Sequence, residues 1–83
     1  MAATHMAAIA STLDLRGLNC PLPVLRTRKR LRQLAPGDRL IVECTDPLAA
    51  IDIPHLIRET GDMLERQEAS NGLFIFHIKR GKG

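Results

Sequence analysis

Tryptophan and tyrosine are absent from this chain of 83 residues, and Phe74 and Phe76 are its only aromatic side chains. Proteins that hold single-stranded nucleic acid without sequence preference stack bases on aromatic platforms, so direct nucleic-acid binding is not expected. Only two cysteines are present, Cys20 and Cys44. That is too few for the disulfide framework of a small secreted domain, and a reduced, cytoplasmic setting is the simpler expectation. No apolar run approaches the roughly 20 residues of a membrane-spanning helix. Residues 1–11 are Ala-rich but lack the basic start and continuous apolar core of a signal peptide. They are read as an N-terminal extension or tag remnant, His5-Met6 being compatible with a cloning scar, and residues 12–80 as the domain.

Chemistry that needs several converging groups is also missing. His5, His55 and His77 show no ligand spacing with either cysteine, and a zinc site requires about four ligands. No paired carboxylates, phosphate loop or nucleophile–base arrangement is recognisable, so neither a metal nor a cofactor is expected. What remains is 45% hydrophobic and 25% charged residues with a net charge of +3, an ordinary globular composition. A chain of this size forms one domain and buries only about 60% of its unfolded surface.

The pattern along the chain alternates between the two regular structures. Thr12-Leu13-Asp14-Leu15 alternates as a half-buried strand does, and Arg16-Gly17-Leu18-Asn19 follows as a loop. Residues 21–34 turn helical, with Val24, Leu31 and Leu34 on one face and Leu25 beside it, until Ala35-Pro36-Gly37-Asp38 stops them. Residues 39–44 form a second strand with Leu40, Val42 and Cys44 on one face. Asp46-Pro47 reads as a helix N-cap followed by proline, and a second such start comes at Asp52. A short turn before a helix over 53–60 is favoured over a longer helix, because an interior proline costs about 3 kcal/mol. Two further strands, 63–70 and 73–79, are joined by Asn71-Gly72, a strong hairpin signal. Phe74, Phe76 and Ile78 share a face of the last strand. The order βαβαββ predicts an α/β two-layer sandwich: a four-stranded mixed sheet, its first two strands parallel, with both helices on one face. The other face would carry Ile41, Leu73 and Ile75, an apolar patch that could serve as a contact surface.

The most informative residues are Cys20-Pro21-Leu22-Pro23. Proline is cheap only in the first helical turn, where its missing N–H has no partner to lose. A helix starting at Pro21 accommodates both prolines and pins Cys20 at the N-cap. Pro21 and Pro23 shape the loop, and Leu22 and Val24 are left as the nearest amide donors for an anionic sulfur. A helix-terminus effect of roughly 0.3–1 kcal/mol lowers a thiol pKa by only about 0.2–0.7. From a starting value near 8.5 that alone leaves the thiol largely protonated, although Arg16 and Arg26 are nearby cations that add to it. A persulfide is more acidic than its thiol, so such a site suits a carrier better than a fierce nucleophile. As a plain cap residue, cysteine would be a poor choice beside Ser, Thr, Asp or Asn.

Leu13-Asp14, Gly17-Leu18, Cys20-Pro21-Leu22-Pro23 and Val24-Leu25 resemble the opening of the TusA/SirA-like sulfur-carrier family. Asp46-Pro47, Asp52-Ile53-Pro54 and the final hairpin are similar to its later landmarks, and the match covers nearly the whole domain. The resemblance implies the same βαβαββ fold. It also implies a Cys20 that accepts sulfane sulfur as a persulfide and relays it onward. The implied partners are a cysteine desulfurase or rhodanese-like donor and an acceptor sulfur-relay protein. Relatives serve tRNA thiolation, molybdenum-cofactor work or oxidation of reduced sulfur.

Other residues carry subsidiary expectations. Arg26, Arg28, Lys29, Arg30 and Arg32 crowd the first helix, either as a solvated face or as a patch that steers an acidic partner. Asp46 and Asp52 are helix caps first, with a secondary role in placing a partner's cysteine. Asp14 and Arg16 are a surface pair or part of the rim. Cys44 ends a strand parallel to the one before Cys20 and is a candidate to resolve a persulfide as a disulfide, though its pattern is that of a core residue. Two alternatives to the carrier stay open. One is a non-catalytic regulatory or protein-binding module acting through the basic helix, and the other is a thiol switch between Cys20 and Cys44.

Overall fold

The computed structural model of the chain describes residues 10–81. The elements are β1 (Ala10–Leu15), α1 (Leu22–Arg32), β2 (Arg39–Cys44), α2 (Ala49–Thr60), β3 (Met63–Ser70) and β4 (Leu73–Lys79). They form one sheet in the order β1-β2-β4-β3. β1 and β2 are parallel and the other neighbours antiparallel. The two helices pack against each other on one face of this mixed sheet. This is the two-layer α/β arrangement that the element order predicts.

Strand alternation decides what lies between the layers. Leu15, Leu40, Val42, Cys44, Phe76 and Ile78 point inward and are buried with Leu31 of α1 and Ile53 and Ile57 of α2. On the other face Ile41, Leu73 and Ile75 are half-buried rather than bare. Ile41 stands between Thr12 and His77, and Ile75 between Glu43 and Glu68. Ion pairs from Arg39 to Glu65 (2.8 Å) and from Arg66 to Glu68 (2.9 Å) add polar cover to that face.

Four boundaries differ from the sequence expectation. β1 opens at Ala10, which pairs with Arg39, two residues earlier than the alternation indicates; residues 1–9 of the N-terminal stretch lie outside the described residues. α1 starts at Leu22, with Pro21 rather than Cys20 as its cap, and ends at Arg32. The Leu22 amide donates to the Asn19 carbonyl at 2.9 Å, so a turn across a cis Cys20–Pro21 peptide bond precedes the helix. The buried stripe of α1 is Pro23, Thr27 and Leu31, spaced four apart as one helix face requires. Leu25 lies roughly 200° around from Pro23 at 3.6 residues per turn and is exposed.

The fourth difference is α2, which starts at Ala49 and so carries Pro54 in its interior instead of in its first turn. The Asp46 carboxylate accepts the Leu48 amide at 3.0 Å and its carbonyl the Ala49 amide at 2.9 Å, so Asp46 anchors the turn that leads into the helix. Pro54 deprives the Ala50 carbonyl of its partner, at about 3 kcal/mol. The longer helix forms nonetheless, because the turn before Pro54 buries Ala49 beside Ile53 and is held by the hydrogen bonds that Asp46 accepts from Leu48 and Ala49. Gly61 closes the helix in the left-handed conformation at φ 81°. The hairpin turn has positive φ at both Asn71 and Gly72, as its sequence requires.

Asp62 ties the end of β4 to the turn after α2. Its shielded carboxylate accepts hydrogen bonds from the Thr60 hydroxyl (2.6 Å), the Gly81 amide (2.7 Å) and the Arg80 guanidinium (2.7 Å). Burial raises its pKa, but those donors together outweigh burial and hold it below the ordinary value. A carboxylate depressed in the folded state gives stability that is full above its unfolded value and lost as pH falls through the folded one. Wild-type melting temperature is therefore expected to exceed that of Asp62→Asn at neutral pH. The gap should close below about pH 4; a gap independent of pH would show that the ion pair contributes nothing.

Candidate functional site

Leu15 and Cys44 end parallel strands side by side, so the loops that follow leave the sheet at the same edge. Two hydrogen bonds join them. The Gly17 amide donates to Thr45 Oγ1 at 2.8 Å and the Cys20 amide to Asp46 Oδ2 at 2.6 Å. Gly17 has φ 83°, a conformation that glycine takes without strain. Asp46 thus grips the Cys20 backbone with one oxygen and the start of α2 with the other. The two landmarks, 26 residues apart, form one structural unit.

Cys20 is exposed at the mouth of a cleft of about 210 Å³ between the helices. Pro21 and Val24 line one side, and Asp52, His55 and Leu56 of α2 the other. The Sγ atom lies 3.7 Å from Asp52 Oδ2, with the thiol donating. This corrects the expected electrostatics. Desolvation first, then the charge and hydrogen bond of Asp52 and the charge of Asp46, push the Cys20 thiol above its ordinary value. Of the groups expected to favour an anion, the Leu22 amide is used by Asn19. Arg16 turns away into a bidentate pair with Asp14 (2.9 and 3.0 Å), which brings Asp14 down to about 2. Val24 stays in the first turn, facing the cleft, and Pro23 is buried beneath it.

Asp52 is therefore not an N-cap but a first-turn residue of α2 facing the thiol. Cys44 behaves differently from Cys20. It is fully buried on the inner face of β2, opposite Leu15 and Phe74. Burial, then the Asp46 charge, pushes its thiol up to about 11. Of the basic residues on α1, Arg28 reaches Glu59 of α2 at 3.9 Å. Arg26, Lys29 and Arg32 are exposed and Arg30 half-buried, and none of these four has an ion-pair partner among the described residues. Among the same residues no group of three or more His, Cys, Asp or Glu side chains is placed to hold a metal ion.

Residues 11–80 match the family described as Sulfurtransferase TusA. The chain belongs to the TusA family. It is 40% identical to the sulfur carrier protein TusA of Allochromatium vinosum over 75 residues, covering 90% of this chain and 99% of that one. It is 38% identical over 77 residues to TusA of Pseudomonas aeruginosa, covering 93% and 95% respectively. The solved structure of a SirA-like protein from Desulfitobacterium hafniense superposes with a TM-score of 0.75 at 27% identity, covering 87% of this chain and 99% of that one.

Three features of this TusA-family site escaped the sequence reading. Thr45 anchors the Gly17 amide, and its only signal is a position next to Asp46. His55 lines the cleft and lies 3.5 Å from Glu59; its placement three residues after Asp52 puts both on one helix face. Leu22, Leu25, Leu48 and Ile51 are exposed in the opening turns of the two helices. Because the Cys20–Asp46 hydrogen bond draws those helix starts together, the apolar side chains collect at the thiol's end of the molecule.

Proposed function

We propose that this TusA-family protein carries sulfane sulfur as a persulfide on Cys20 and relays it between proteins. The observation that carries the reading is the contrast between its cysteines: Cys20 is exposed at a cleft between two helix starts, whereas Cys44 is sealed in the core. A cysteine desulfurase or rhodanese-like donor loads Cys20 and an acceptor protein's cysteine unloads it, by thiol exchange that depends on thiolate fraction and access. Both partners must reach the sulfur, and the exposed Leu22, Leu25, Leu48 and Ile51 give them an apolar contact around it. Of the unpaired cations of α1, Arg26 stands one turn from the helix start and Lys29, Arg30 and Arg32 lie in its last turn; together they steer an acidic partner onto α1. A reduced compartment such as the cytoplasm suits a free Cys20, and the acceptor lies in tRNA thiolation, molybdenum-cofactor work or sulfur oxidation.

The test is intact-protein mass spectrometry after incubation with a cysteine desulfurase and cysteine, or with polysulfide. A gain of about 32 mass units per sulfur, removed by reductant and mapped to Cys20, is the expected result for a persulfide. No adduct with either donor on a protein whose Cys20 can be alkylated would sink the carrier reading in favour of a protein-binding module on the basic helix. A loss of two hydrogens, with Cys20 joined to Cys44, would favour the thiol switch; the burial of Cys44 argues against it.

A further inference from the structure

The thiol that is to receive sulfur stands against negative charge. The groups facing it are Asp46 from the loop before α2 and Asp52, His55 and Glu59 from α2 itself, while Pro21 and Val24 bring none that titrates. Only Asp52 has its carboxylate directed at sulfur, at 3.7 Å; Asp46 is spent on the amides of Cys20 and Leu48, and His55 leans to Glu59. We propose that Asp52 is a positioning residue that holds empty Cys20 as its protonated thiol and lets go once a sulfane sulfur is attached. The proposal rests on the carrier reading and adds a direction to it.

The chemistry follows from bond lengths and proton bookkeeping. In the empty protein the S–H bond points to Asp52 Oδ2, and an ionised sulfur there would lose that hydrogen bond and meet a like charge. During loading Cys20 gives its proton to solvent, and Sγ attacks the terminal sulfur of the donor persulfide. The Sγ–S bond forms, the donor's S–S bond breaks, and the donor cysteine leaves as thiolate. Cys20 is thereby oxidised to the persulfide level and the donor reduced to a thiol. The new terminal sulfur lies one S–S bond, about 2 Å, beyond Sγ, and Sγ no longer bears a hydrogen to donate. Charge now sits on the outer sulfur, away from Asp52. On unloading, the acceptor thiolate takes that outer sulfur, Sγ leaves as thiolate and is reprotonated from water, and Asp52 recaptures the S–H. The empty form is thus a poor nucleophile toward the sulfur it has just passed on.

The experiment is the pH dependence of Cys20 alkylation by iodoacetamide in the full chain, read by peptide mass spectrometry so that Cys44 does not interfere. Removing one facing charge in Asp52→Asn is expected to lower the midpoint by about one pH unit, which makes alkylation roughly tenfold faster near neutrality. Asp52→Glu should stay near wild type. In protein loaded with polysulfide, the terminal sulfur's midpoint should move less than that of the empty thiol. An unchanged or raised midpoint in folded Asp52→Asn, checked by circular dichroism, would overturn the proposal, and an equal shift in the loaded form would overturn its release step. Should Asn fail to fold, Asp52→Ser is read in the same way. Because empty-thiol alkylation needs no sulfur donor, a protein that never accepts sulfur but shows the Asp52→Asn shift would sink the carrier reading and leave the Asp52 contact standing.

Discussion

Cys20→Ser is expected to abolish persulfide loading completely while leaving the melting temperature almost unchanged. Every contact by which the fold holds this residue is made by backbone or by carboxylate. The Cys20 amide donates to Asp46 Oδ2, and a serine amide does the same. The side chain is exposed, and surface substitutions of this kind usually stay within about 0.5 kcal/mol. Even the hydrogen bond to Asp52 survives, because a hydroxyl donates as a thiol does. What disappears is the sulfur nucleophile. Donor incubation followed by intact mass should show no reductant-sensitive adduct on the variant. An adduct of full yield on Cys20→Ser would place the chemistry on Cys44, and a collapsed fold would make Cys20 structural.

Phe76→Ala is expected to destabilise the protein by about 3–5 kcal/mol, the usual cost of removing a buried aromatic side chain. Phe76 is fully buried on a central strand, between Val42 of β2 and Gln67 of β3, and belongs to the cluster that joins the sheet to both helices. At roughly 0.05–0.15 kcal/mol per residue, a domain of this length holds only about 4–12 kcal/mol in all. The variant should therefore unfold at a much lower urea concentration, or fail to fold near body temperature. A loss under about 1 kcal/mol would mean that the layers do not close on Phe76. Loading of Cys20 should fall in step with the folded fraction, since the thiol's place depends on both helix starts.

Most of the architecture was legible because it is written locally. Alternation in residues 39–44, the breakers after Leu34 and the Asn71-Gly72 turn each settle an element without reference to the rest of the chain. The α2 boundary was not legible, because a proline penalty is local whereas the burial of Ala49 and the tie from Asp46 to the Cys20 amide, which hold the extra turn, are tertiary. The same division runs through the site. Cys20 was found from its prolines, but its electrostatic surroundings were misjudged. Nothing in the sequence says that the Asp46 and Asp52 carboxylates converge on it, or that Arg16 is diverted to Asp14. Leu25 was placed next to the core because a leucine in an apolar pattern reads as inward; the four-residue stripe through the polar Thr27 was masked by its hydroxyl.

The register of the sheet gives the molecule two ends with different uses. Ala10, Arg39 and Lys79 lie in one cross-strand row, and Leu15, Cys44 and Phe74 in another. Five strand steps of about 3.3 Å separate the rows by roughly 17 Å. The described chain enters and leaves at the first row, while the Cys20 loop, Thr45, Asp46 and the Asn71-Gly72 turn project from the second. A domain or an immobilising tether attached before Ala10 or after Lys79 would hang from the handle and leave the working tip clear. Fusions at either terminus should thus exchange sulfur as freely as the isolated protein, whereas an insertion into the hairpin turn would intrude at the tip itself.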